Sequence, residues 1–165
     1  IGLAGHPEGS PDMSDEAISN ALNWKNTFAE NSDANFHIVT QFCFEADPII
    51  IWDKKINSHG NKLPIHIGIP GIAKISTLLN YSISCGIGNS LQFIKKQSKN
   101  IANLIKTQSP DILVRDLALY TANNKNSSIK GVHLYPLGGL VKSAEWGYAS
   151  VDKKFTLNNQ GFKVY

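Results

Sequence analysis

Cysteine is nearly absent from this chain. Cys43 and Cys85 are the only two, too few for a disulfide framework and without the C-x-x-C spacing of a metal or redox pair. A reducing, cytoplasmic setting is therefore expected. No apolar run approaches the ~20 residues a membrane-spanning helix needs, and no signal peptide opens the chain. Charge is modest too: 18% of the 165 residues are charged against 42% apolar. That balance excludes a disordered, collagenous or coiled-coil chain and suits one globular core. Repeats and low-complexity segments are also missing. The chain opens on Ile1, and Ile1 to Gly5 already read as a finished strand, so a start inside a larger protein is expected.

The charges that are present are unevenly spread. Residues 1–53 hold nine acids and one base, Lys25, whereas the remainder holds four acids and fifteen bases. A nucleic-acid reader would gather such bases on one face with interleaved aromatics. Here they are scattered over successive helical segments, with one local cluster at Lys95, Lys96, Lys99 and Lys106. A solvated helix face is the reading, and no nucleic-acid partner is expected.

Four short runs have strand character: 1–5, 37–42, 64–69 and 131–135. Each is mostly apolar without clean alternation, as in parallel strands buried on both faces. Helical patterns fill the intervals. Ser14 can cap a helix with Asp15 and Glu16 in its first turn, followed by the stripe Ala17, Ile18, Ala21, Leu22, Phe28 and Ala29. Asp47-Pro48 reads as a cap followed by proline at the first helical position, and Gly60 closes that helix. Ile75, Leu78, Leu79 and Ile83 repeat at helical spacing up to Gly86. Ser109-Pro110-Asp111 opens another helix, and a short one follows Gly138-Gly139 through Trp146.

Strand and helix in alternation are the grammar of βαβ units. The interval from Gly71 to Lys130 is about twice as long as the others and holds two or three helices. The fold class expected is α/β. Four βα units are half of a (β/α)8 barrel; a doubly wound open sheet is the alternative, but no GxGxxG follows any strand. Residues 1–150 are assigned to the half barrel. Residues 151–165 form a separate tail, where Phe155, Leu157, Phe162 and Val164 alternate around Asn158-Asn159-Gln160-Gly161 as a hairpin would.

In a barrel, working residues lie at the C-terminal ends of strands. The candidates are His6, Glu8 and Ser10, then Gln41, then Gly68 to Gly71, then Tyr135, Gly138 and Gly139. Glu8 is the only acid among them, no His–carboxylate–nucleophile set can be assembled, and no His pair has metal-ligand spacing. No metal is expected. Polar recognition is what these residues offer, so the reactive groups must come from a cofactor or from elsewhere in the protein.

Three of the strand ends, Ile1-Gly-Leu-Ala-Gly-His-Pro-Glu-Gly-Ser-Pro11, Val39-Thr-Gln-Phe-Cys-Phe44 and Gly68-Ile-Pro-Gly71, resemble methylenetetrahydrofolate reductase. A fourth, Tyr135-Pro-Leu-Gly-Gly-Leu140, resembles the segment after the last strand in a bacterial branch of that family. The resemblance covers roughly residues 1–147 and is to the C-terminal half of the family's catalytic barrel. It implies an oxidoreductase of one-carbon metabolism, with FAD as cofactor, NAD(P)H as co-substrate and a folate as substrate, homo-oligomeric when full length. The family's catalytic glutamate and its flavin-tuning aspartate belong to the other half, so no catalytic residue is expected here and the fragment alone is expected to be inactive.

The same resemblance implies site residues. The first loop of the family carries Tyr-Pro-x-x-His-Pro against the flavin, where this chain has His6 and Ser10; the shorter Ser10 departs from the pattern. Asn20, Asn23 and Lys25 fall on the helix that meets the flavin's ribose and phosphates. Gln41 falls where an amide pairs with the pterin ring and the nicotinamide amide. Thr77 and Tyr81 fall on folate-binding positions, Thr77 replacing the usual Gln. Gly138-Gly139 replaces a substrate-binding Arg. Glycines there also suit close approach to an anion, which keeps open a (β/α)8 lyase or aldolase binding a phosphorylated ligand. A non-catalytic folate- or flavin-binding module is a further alternative.

Overall fold

The computed structural model describes residues 1–85, 104–158 and 161–164. Four parallel strands, β1 (Gly2–Gly5), β2 (His37–Phe42), β3 (Ile65–Pro70) and β6 (Ile129–Tyr135), form one sheet in the order β1-β2-β3-β6. The strands thus pair in chain order at the positions expected, shifted by one or two residues at their ends. Helices α1 (Asp15–Glu30) and α2 (Ala46–Ser58) fill the first two crossovers. The long third crossover holds a two-residue strand β4 (Ala73–Lys74), α3 (Ile75–Ser84), its antiparallel partner β5 (Thr107–Gln108) and α4 (Asp111–Asn123). Helix α5 (Leu140–Val151) follows β6, and β7 (Phe155–Asn158) and β8 (Gly161–Val164) form the expected hairpin. The end expected at Gly86 and the cluster residues Lys95, Lys96 and Lys99 lie outside the described residues.

Local chemistry explains the helix ends. Ser14 Oγ accepts from Ala17 N at 3.1 Å, capping α1 as its sequence indicates. Gly60 adopts φ +86° just past α2, the left-handed conformation that favours glycine. The start of α2 corrects the expectation: Glu45 is its N-cap, and Asp47 and Pro48 sit inside the first turn. Proline is tolerated there because the first amides of a helix lack internal partners anyway. Helix α5 also runs on past Trp146, to Val151.

The main core lies on one face of the sheet. Ile38, Ile65, Ile67 and Ile69 are fully buried against Ile49, Trp52 and Ile56 of α2, Leu113 and Leu117 of α4 and Trp146 of α5. Phe162 and Val164 of the hairpin join this core, so the tail packs onto the domain. The opposite face meets the expectation of strands buried on both sides along β3, where every residue but His66 is buried, and departs from it along β2. Burial alternates strictly along β2, and His37 and His66, rings 4.8 Å apart, lie half-buried on adjacent strands. The runs lack clean alternation in sequence because the second face carries histidine, valine and glycine rather than charged residues.

A carboxylate ties the helix layer to β6. Asp53 of α2 is fully buried, which is costly unless donors surround it. Tyr120 Oη of α4 donates at 2.7 Å, Asn57 Nδ2 at 2.9 Å and the Ser128 amide at 3.1 Å. Burial, then the Asp53 hydrogen bond and charge, push the Tyr120 hydroxyl up to about 12. Asp53→Ala leaves buried donors without an acceptor and is expected to lower unfolding free energy by about 2–4 kcal/mol, read from urea denaturation. Absorbance titration of tyrosinate should show one group ionising near 12 in the wild type and at lower pH in the variant.

Candidate functional site

The loop after β1 is a tight turn. His6 O accepts from Gly9 N at 3.2 Å, and Gly9 has φ +77°, so a side chain at position 9 would strain the backbone. This turn sets His6 at the end of a groove of about 410 Å³ between α1 and α2. On α1, Ser19, Asn23 and Asn26 follow one another at helical spacing along its wall; on α2, Trp52, Lys55 and His59 do the same. Glu8 and Asp15 stand at the loop end. An anion is therefore favoured at the Lys55–His59 end and a neutral ring at the His6 end. The exposed amide of Asn23 could meet the ribose or ring parts of a dinucleotide such as FAD, whereas the Asn26 amide already donates to Leu22 O and Asn61 Oδ1 and accepts from Lys62 N.

Of the residues indicated by sequence, the structure brings His6 and Asn23 together in this groove. Asn20 is exposed on α1, away from the lining. Ser10 is half-buried, and its Oγ accepts from Asp12 N at 3.3 Å within its own turn. Lys25 lies on another face of α1, with Ile18 and Ala21, in a small cavity of about 80 Å³ behind the groove. Its Nζ donates to Ala4 O of β1 at 2.6 Å. Asn23 and Lys25 cannot share a wall, because two helical steps turn a side chain to the far side. Trp52, Lys55, His59 and Asn26 escaped the sequence reading. Their spacing was visible, but which helix faces meet depends on how α1 and α2 cross the sheet.

Gln41 belongs to the sheet and not to the groove. It sits at a break in the β2–β3 ladder, half-buried, with its carbonyl accepting from Thr40 Oγ1 at 2.8 Å and from Cys43 Sγ at 3.5 Å. Cys43 is fully buried. Burial raises its thiol well above the ordinary range, and the charge of Glu8 and a hydrogen bond to it add to the rise. The first loop is thereby joined to the end of β2. Beside this lies a second apolar cluster of Phe42, Phe44, Ala73, Ile75 and Leu78, with Tyr135 and Leu137 packed on it. Ile75 and Leu78 seat α3 against the strand ends; Thr77 is half-buried and Tyr81 is 43% exposed, one turn apart on the same helix.

The glycines after β6 are used differently from the anion site that sequence allows. A Cβ on Gly138 would lie 2.3 Å from Ile72 O, so its close approach is to the chain's own backbone. Gly139, at φ +129°, is the N-cap of α5. The described residues include no group of three or more His, Cys, Asp or Glu that could hold a metal ion. No helix among them is long and apolar enough to cross a membrane. No protein-family model matches the chain.

Burial, with the Lys25 charge second, holds the His6 imidazole below the ordinary histidine range. The folded protein therefore binds this proton less readily than the unfolded chain. Its contribution to stability is complete above pH ~6.5 and is lost as pH falls through the unfolded value, levelling off below the folded one. Lys25→Met is expected to raise the His6 value only part of the way, because burial remains. Imidazole NMR titration of the two proteins checks this, and an unchanged value in the variant removes Lys25 as a cause.

Proposed function

We propose that the chain is the C-terminal half of a (β/α)8 barrel of the methylenetetrahydrofolate reductase type, an FAD-dependent oxidoreductase that converts 5,10-methylenetetrahydrofolate to 5-methyltetrahydrofolate with NAD(P)H. The observation that carries the reading is the parallel pairing of the four motif-bearing strands in chain order. Parallel strands end on one rim, so the chain at His6, Gln41, Gly68–Gly71 and Tyr135–Gly139 leaves the sheet on one side, which supports a barrel mouth there. Exposed apolar side chains at both edges of the sheet support a barrel continued by further strands. Trp24 and Phe28 are exposed on the helix after β1, as are Val132 of β6 and Leu140 and Val141 of α5.

When bound, FAD supplies the hydride transfer between NAD(P)H and the folate methylene group. The chain's own residues bind and orient. His6 presents a flat ring at the groove's end, Asn23 offers an amide along its wall, and Lys55 offers a charge to a phosphate. Lys25, bonded to Ala4 O, steadies the strand end beneath. Gln41 reads the pterin or nicotinamide amide, and Tyr81 and Thr77 line the approach of the aminobenzoyl group. The acids that complete catalysis belong to the other half of the proposed barrel, which is homo-oligomeric. The phosphorylated-ligand alternative gains nothing from Gly138, which is packed against Ile72 and Ala73.

The test is made on the full-length protein. A bound-flavin absorbance band bleached by NAD(P)H and restored by 5,10-methylenetetrahydrofolate is expected. A protein that purifies without flavin and takes none up overturns the reading. Gln41→Leu is expected to keep the flavin while folate turnover falls by roughly 1–3 kcal/mol of transition-state stabilisation. Normal folate kinetics in that variant would take Gln41 out of the site.

A further inference from the structure

The β2–β3 ladder breaks between the pairs Val39–His66 and Phe42–Gly68, so Thr40 and Gln41 face Ile67 alone. That is the two-against-one count of a β-bulge, a device that re-aims a side chain. Here the break is built from side chains. Thr40, fully buried, accepts from the Gly68 amide at 2.8 Å through Oγ1 and donates from it to Gln41 O at 2.8 Å. From β6, Tyr135 Oη donates to Thr40 O at 3.0 Å. It passes over Gly68, where a Cβ would lie 2.4 Å from Thr40 O, 2.6 Å from Gln41 O and 2.7 Å from the Tyr135 ring.

Two peptide planes flank Gln41. Thr40 O lies in the preceding plane and Gln41 O in the following one, and peptide planes are rigid. With both carbonyls bonded, the two backbone dihedrals of Gln41 are held and the direction of its Cβ is set. We propose that Thr40, Gly68 and Tyr135 are positioning residues that aim the Gln41 carboxamide at a cyclic amide of the ligand. The identity of that ligand rests on the folate reading given above; the positioning does not.

The experiment uses the full-length protein with flavin bound and two probes, 6-methyltetrahydropterin and p-aminobenzoylglutamate. Tyr135→Phe and Thr40→Val are each expected to weaken the pterin about five- to tenfold, the worth of one hydrogen bond, and to leave p-aminobenzoylglutamate unchanged. Thr40→Ser should restore pterin binding. In a Gln41→Leu background, Tyr135→Phe should cause no further loss. Equal losses with both probes, or a loss that persists without Gln41, overturn the proposal. The side-chain amide resonances of labelled Gln41 provide the arm that needs no ligand: dispersed in the wild type and averaged in Tyr135→Phe. Should the wild type bind neither probe, the folate reading fails, and unchanged Gln41 resonances would then overturn the positioning role separately.

Discussion

Because β1, β2, β3 and β6 pair in parallel, no connection between neighbours can be a tight hairpin, and each must cross the sheet. The crossovers contribute helices that bury one face, and every strand ends at the same rim. From this constraint follow the isoleucine core of β2 and β3 beneath α2, α4 and α5 and the gathering of the polar loops. The opposite face carries His37, His66 and His133, while α3 packs on Phe42 and Tyr135 at the strand ends.

Two polar devices are buried in this frame, and both make one group serve several elements. Asp53 collects donors from α2, α4 and the entry to β6, fixing the register of the helix layer against the sheet. Thr40 does the same within the sheet, its hydroxyl bonded to Gly68 N and Gln41 O and its carbonyl to the Tyr135 hydroxyl. In a low-dielectric interior an unmatched partner in either device would be costly, which makes both geometrically specific.

The groove between α1 and α2 and the strand-end cluster around Phe42 and Tyr135 are joined by the contact of Glu8 with Cys43. Neither of its residues looks catalytic alone. Glu8 is an acid on a loop and Cys43 a buried thiol, and only the folded chain sets them side by side.

The chain itself determined the strands, their order and most helix ends. These depend on short-range causes: apolar runs of strand length, Ser14 as a cap, Gly60 at a positive φ. The motif residues His6, Gln41 and Tyr135 were legible for the same reason, each standing beside a strand end. What tertiary structure decided depends on contacts between residues distant in sequence. Periodicity gives a helix its faces but not its rotation against a neighbour, so Asn26 and Trp52 entered the groove while Lys25 turned to Ala4. Gly138-Gly139 suits close approach to an anion by composition alone, and it is the packing of Ile72 and Ala73 against Gly138 that directs that approach to the chain's own backbone. The clamp on Gln41 needs residues 40, 68 and 135 on three adjacent strands, and only folding the sheet brings such a set within hydrogen-bond distance.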